Sequence, residues 1–425
     1  MYWRFETLSV KTMARLPILQ AMPPASRGFD FMCIPTWVYT DSSLVEILEI
    51  PKYMNSVEFL MFVGFDTSTA CAIFTEWEMT KATDGERKGE PVGMLISHTF
   101  SWIRKKAEIF DVTEAEENWD ECLRNMGLSD DFRNRILDRS FDWIRLSKSA
   151  SHWAIASIES DYDFLFSLEK SIWDRMASQN VASTVPGWLF SDHASQHVPY
   201  KARQTEAEQA WRFMLFKGGR ESQLRRCIED NGKVDLGWLA AKPPSDFHPT
   251  SREHIYLTAS RYVAEQYAAY AERRSHCGDR GAVLTIAIPY EYVTHADMVG
   301  SAWHDLVWYS LHPTPSKIRD SNSARILPSE ISYEEGSRIL PKYLNRYEEE
   351  GLLIGAVPNA SPERMPRLPN PSSIGVLKLP GPDRQTMSHW VIRGEVFRNE
   401  LERLCRRFAW IRLREDDDDD PMNTS

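Results

Sequence analysis

Apolar positions along this chain follow two periods, and the change from one to the other divides it. Between Pro91 and about residue 184 they recur at helical spacing. Phe132, Ile136, Leu137, Phe141 and Ile144 fall on one face, with Ser129 and Asp130 placed to accept the free amide hydrogens at a helix start. Phe164, Leu165, Leu168, Ile172 and Trp173 repeat the pattern, with Asp161 and Asp163 near its first turn, where the helix dipole favours negative charge. Trp119, Trp143, Trp153 and Trp173 have helical neighbours and are assigned to the core. Earlier, from Phe29 to about Gly93, short apolar runs (Val57 to Phe65, Ala70 to Phe74) alternate with turn formers and specify no motif.

After Trp211 the pattern changes to strands. Phe213 to Phe216 forms a compact apolar run leading into Lys217-Gly218-Gly219, a cation followed by two residues that let the backbone approach a ligand closely. A turn-rich passage, Pro243 to Thr250, precedes a second strand, His254 to Thr258. In the helix that follows, Val263, Tyr267, Tyr270 and Ala271 share one face. Ala282 to Ile288, closed by Pro289, reads as a strand buried on both sides. Leu352 to Val357 is strand-like, and His389 to Ile392 is the last strand candidate. Val396, Leu401, Leu404, Cys405 and Phe408 outline a closing helix. Ser332 and Glu335 have capping-box spacing, and the prolines between residues 358 and 382 predict a long surface loop.

The expected class is therefore α+β, with a mainly helical domain followed by a domain of two small packed sheets with flanking helices. The boundaries are a loosely ordered N-terminus over 1–29, a helical domain over 30–184, a linker over 185–204, a second domain over 205–414 and an acidic disordered tail over 415–425.

Charge and cysteine content narrow the function classes. The formal net charge is −11, of which six negatives lie in the run Glu415 to Asp420, leaving −5 on the rest. Such a body has no electrostatic reason to sit on nucleic acid or an anionic membrane. The most apolar stretch, Phe59 to Phe65, is interrupted by Asp66 and is too short to cross a bilayer. Cys33, Cys71, Cys122, Cys227, Cys277 and Cys405 are unpaired in spacing, which suits a cytosolic or nuclear compartment and neither a disulfide framework nor a metal site. Arg4, Lys11, Arg15 and Arg27 against the single acid Glu6 leave a mitochondrial leader as the minor alternative. His193 and His197 are four apart but lie in poor helix material and are assigned to a solvated loop.

The order of parts after Trp211 resembles the ADP-ribosyltransferase fold, nearest to fungal-type domains of unassigned function. These carry an Arg/His-Gly-Ser/Thr motif on a first strand and a Tyr-Leu-Thr motif on a second, matched here by Lys217-Gly218-Gly219 and Tyr256-Leu257-Thr258. Trp303 to Trp308, Leu353 to Val357 and His389 to Ile392 look like the later, looser signatures. The resemblance implies NAD as substrate, an unknown protein or small-molecule acceptor of ADP-ribose, and no metal. Lys217 and Gly218 would hold the diphosphate, Tyr256 the nicotinamide, and Thr258 the catalytic hydroxyl, while His389 stands where the family's catalytic Glu or Gln falls.

Cleaving the bond between nicotinamide and ribose builds positive charge on the ribose carbon, so a carboxylate is wanted there. An imidazole at position 389 supplies the wrong charge. Asp246, Asp383 and Glu395 are the acids that could replace it. Three readings follow: an ADP-ribosyltransferase, a catalytically degenerate module of the same fold that binds NAD or a protein, or an interaction protein whose fold merely echoes these motifs.

Overall fold

In the computed structural model the chain is α+β, and the described residues are 31–36, 46–84, 94–110, 118–178, 212–228, 233–241, 245–248, 253–293, 295–311, 351–359, 365, 368–380, 385–405 and 409–413. The expected N-terminus, linker and acidic tail lie outside them, as do His193, His197, Ser332 and Asp383. The described residues fall into two compact units that interleave along the chain. Asp138–Ser149, although flanked by helices of the first unit, belongs to the second, and Arg274–Gly278 belongs to the first.

The first unit opens with an antiparallel hairpin, β1 (Phe31–Thr36) and β2 (Glu46–Pro51). Helices follow: α1 (Val57–Phe62), α2 (Thr67–Asp84), α3 (Leu95–Phe110), α4 (Trp119–Asn125) and α5 (Asp130–Ile136). Ser129 caps α5 as expected, its hydroxyl accepting from the Phe132 amide at 3.3 Å. The single helix expected through Ile144 is instead broken after Ile136; a 3-10 turn (Arg139–Phe141) and a short helix, α6 (Asp142–Arg145), complete the segment. α7 (Ala150–Ser178) starts eleven residues before Asp161, which lies fully buried within it and not at its first turn. Gly64 closes α1 at φ +115°, and a Cβ there would stand 2.1 Å from the Phe132 ring. Only glycine lets the chain turn this tightly against α5.

The second unit contains two sheets. One has the order β3 (Arg212–Arg220), β5 (Gly281–Pro289), β9 (Ala409–Leu413); the other β4 (Ile255–Leu257), β8 (Ser388–Ile392), β7 (Leu352–Ala356), β6 (His295–Met298). Every pairing is antiparallel except β6 with β7. β5 is buried along its whole length, as its apolar run requires. Leu215, Ile255, Leu257, Ile286 and Ile392 form a core shared by the two sheets. α8 (Glu221–Arg225) follows β3, α9 (Arg261–Arg273) packs on β3 and β5, and α10 (Gly300–Leu311) contributes Trp303, Leu306 and Val307 to a second core with Leu353 and Val391.

Two expectations change here. β8 is not the last strand, because the chain returns after α11 (Glu395–Cys405) and pairs β9 along β5. Leu401 and Cys405 of α11 are buried as expected, but Val396 is 85% exposed. The described part of the proline-rich stretch includes a 3-10 turn (Pro371–Ser373) and is not confined to the surface, since Met365, Ile374 and Leu377 are buried.

Candidate functional site

The two sheets of the second unit meet at Thr258. Its amide donates to the Phe216 carbonyl at 2.9 Å and its carbonyl accepts from the Phe216 amide at 2.8 Å, while the preceding residues of β4 pair with β8. β4 therefore forks, leaving β8 and joining β3. Residues facing each other across an antiparallel ladder share a face, so the pairings put Phe216, Thr258 and Tyr256 on one side. Extending the β4–β8 register by one residue places His389 opposite Thr258 on the same side.

On that side Tyr256 and His389 meet edge to face, ring centroids 5.2 Å apart at 71°. The Tyr256 hydroxyl accepts a hydrogen bond from the Phe247 amide at 3.0 Å. Nδ1 of His389 lies 3.5 Å from Oδ2 of Asp246, and the Asp246 Oδ1 accepts from the Lys148 ammonium at 2.8 Å. The Asp246 side chain is only 4% exposed. Burial by itself would raise its carboxyl, but Lys148 and His389 outweigh burial and hold it well below the usual carboxylate range. Burial pushes the His389 imidazole below its ordinary value, with Asp246 opposing and the ammonium groups of Lys148 and Lys217 adding to the lowering. Burial, with Asp246 second, pushes the Tyr256 phenol well above its ordinary value, so it stays protonated.

Lys217 takes the other side. Alternation along β3 puts it with Leu215, in the core that holds Ile255, Leu257 and Cys227. Its one bond is Nζ donating to the Tyr256 carbonyl at 3.1 Å, and burial lowers its ammonium below the usual lysine range. The structure thus brings Tyr256, Thr258 and His389 to one face and leaves Lys217 on the other, its ammonium bonded to the Tyr256 main chain. Gly218 meets α9 directly: a Cβ there would stand 1.8 Å from the Ala264 carbonyl. The hydroxyl of Thr258 accepts from the Ser260 amide at 3.1 Å and so shapes the entry to α9.

No family model, no curated protein and no solved structure matches this chain. Function is therefore read from the side chains themselves. Of the candidate acids, Asp246 reaches the cluster, whereas Glu395 is exposed at the start of α11 beside Arg398. Lys148 is the residue sequence reasoning missed. It comes from Asp138–Ser149, where Trp143 packs against Tyr267 and Phe141 stacks on Tyr270, and no local pattern marks it as a partner of residue 246.

A cavity of about 600 Å³ in the first unit is lined by Asp66, Arg124, Leu128, Ser129 and Arg133 among others. Its charges are already matched: Asp66 accepts from Ser68 and Thr69, and Arg133 pairs with Asp120 and Asp130. It is a solvated groove and supplies no unmet chemistry. Among the described residues no group of three metal-ligating side chains converges, and no described helix is long and apolar enough to cross a membrane.

Proposed function

We propose that the second unit is an ADP-ribosyltransferase-like module that binds NAD at the fork of β4 without transferring ADP-ribose. The observation that carries this reading is the convergence of Tyr256, Thr258 and His389 where β4 changes sheets, beside a carboxylate that is already neutralised. An aromatic ring, a hydroxyl and an imidazole form a surface suited to a nucleoside. Transfer asks for a free carboxylate against the ribose, whereas one oxygen of Asp246 accepts from Lys148 and the other faces Nδ1 of His389. A transferase reading keeps one observation in its favour, the presence of that carboxylate beside His389.

The test is an NAD titration of the full chain followed by thermal unfolding, run alongside labelled NAD. Binding to the folded state alone adds about 1.4 kcal/mol of stability at tenfold excess over Kd. The expected result is a melting temperature that rises with NAD and is insensitive to it in Tyr256→Ala, with no label transferred. No rise at millimolar NAD overturns the reading, and label transfer replaces it with the transferase.

A further inference from the structure

Asp246 and Lys148 are 98 residues apart in sequence, yet their charged groups are in direct contact beneath the fork. The side chains are 4% and 21% exposed, so the contact is not a loose surface pair. Nδ1 of His389 is fully buried and faces Oδ2 of Asp246 at 3.5 Å, at the edge of hydrogen-bonding reach, while 15% of the side chain stays exposed. That exposure lies elsewhere on the side chain than at Nδ1. A neutral imidazole beside a carboxylate carries its proton on the nitrogen that faces the carboxylate, which assigns Nδ1–H here and makes Nε2 an acceptor.

We propose that Lys148 is a positioning residue for the fork: it fixes the Asp246 carboxylate, which orients His389 in a single neutral tautomer whose Nε2 can accept a hydrogen bond from a ligand hydroxyl, such as that of a ribose. The charged and titratable groups around His389 are Asp246 from the loop before β4, Lys148 from Asp138–Ser149 and Tyr256 from β4 on its own side, with Lys217 from β3 acting from the other side of the sheet. Of these, Lys148 is the one that touches the carboxylate oxygen His389 does not face. Without its ammonium, the undivided charge of Asp246 falls on the imidazole and favours the imidazolium, which donates at both nitrogens and accepts at neither. The positioning role stands on the geometry, and only the identity of the hydroxyl rests on the nucleotide reading.

The experiment compares the full chain with Lys148→Met and Lys148→Arg by imidazole nitrogen NMR of His389 between pH 8 and 6, with ADP-ribose affinity measured at both ends. The native chain is expected to keep the Nδ1–H tautomer throughout, and Lys148→Arg to preserve it. In Lys148→Met, His389 is expected to protonate within this range, with ADP-ribose affinity about tenfold lower at pH 6 than in the native chain. Should Lys148→Met fail to fold, Lys148→Met/Asp246→Leu removes both charges, and loss of the single tautomer there supports the proposal equally. An Nε2–H tautomer in the native chain, or a His389 titration unchanged in Lys148→Met, overturns it. If the NMR result holds but ADP-ribose does not bind, the positioning role stands and the nucleotide reading falls.

Discussion

The ammonium of Lys148 and the Oδ1 of Asp246 stand 2.8 Å apart, and the same carboxylate turns its other oxygen toward His389. Removing one partner of so buried a pair leaves an uncompensated charge, which costs about 3–5 kcal/mol. Asp246→Asn is therefore expected to lower the urea midpoint of the second unit severely. Lys148→Met/Asp246→Leu, which removes both charges, is expected to lie much closer to the native chain. A double variant as unstable as Asp246→Asn would show that packing and not charge sets the cost.

Gly218 gives a prediction independent of any ligand. A methyl group there meets the Ala264 carbonyl at 1.8 Å, so Gly218→Ala must push α9 off β3. Overpacking of this kind costs about 1–3 kcal/mol. Gly219→Ala, whose Cβ would find Leu224 no nearer than 3.6 Å, is expected to be much milder. Chemical denaturation of the two variants side by side checks the difference.

Tyr256→Phe isolates the phenol. The ring stays against His389 and Phe247, but the Phe247 amide loses its acceptor. A buried donor left without a partner costs about 1–3 kcal/mol. Stability should fall by that amount while the aromatic surface at the fork survives, so NAD binding in Tyr256→Phe should exceed that in Tyr256→Ala.

His254 predicts sensitivity to mild acid. Its side chain is buried with neither ring nitrogen partnered, and burial, helped by His248 and Arg393, pushes the imidazole down to about 3. The unfolded chain holds this proton more tightly than the folded one between that value and about 6.5. Stability from His254 is thus complete above about pH 6.5 and is lost as the pH falls toward 3, at a limiting slope of about 1.4 kcal/mol per pH unit. His254→Phe is expected to flatten the pH dependence of unfolding in this window. An unchanged slope would assign it to other groups.

Much of the second unit was legible because its strands carry strong local signals. The apolar run of Phe213 to Phe216, the β-branched run of β5 and the repeat in α9 each appear where expected. The first unit was less readable. After Glu58, the stretch Phe59 to Phe65 has no polar side chain, so it shows no period to separate helix from strand. In α2 the apolar residues are spread around the helix and leave no stripe. β9 carries no expectation in the sequence, since an edge strand of five residues with Arg412 in it offers little pattern of its own.

The sequence by itself determined which residues alternate along each strand: Tyr256 with Thr258, and Lys217 with Leu215. It did not determine how one strand meets the next. The pairing of Phe216 with Thr258 decided that Lys217 lies behind β4 and not beside the Tyr256 ring, and a slip of one residue would have reversed this. Tertiary structure alone supplied Lys148 to the site. Side-chain alternation is a local consequence of the backbone, whereas register and the meeting of distant charges are settled only when the sheets bury their shared core.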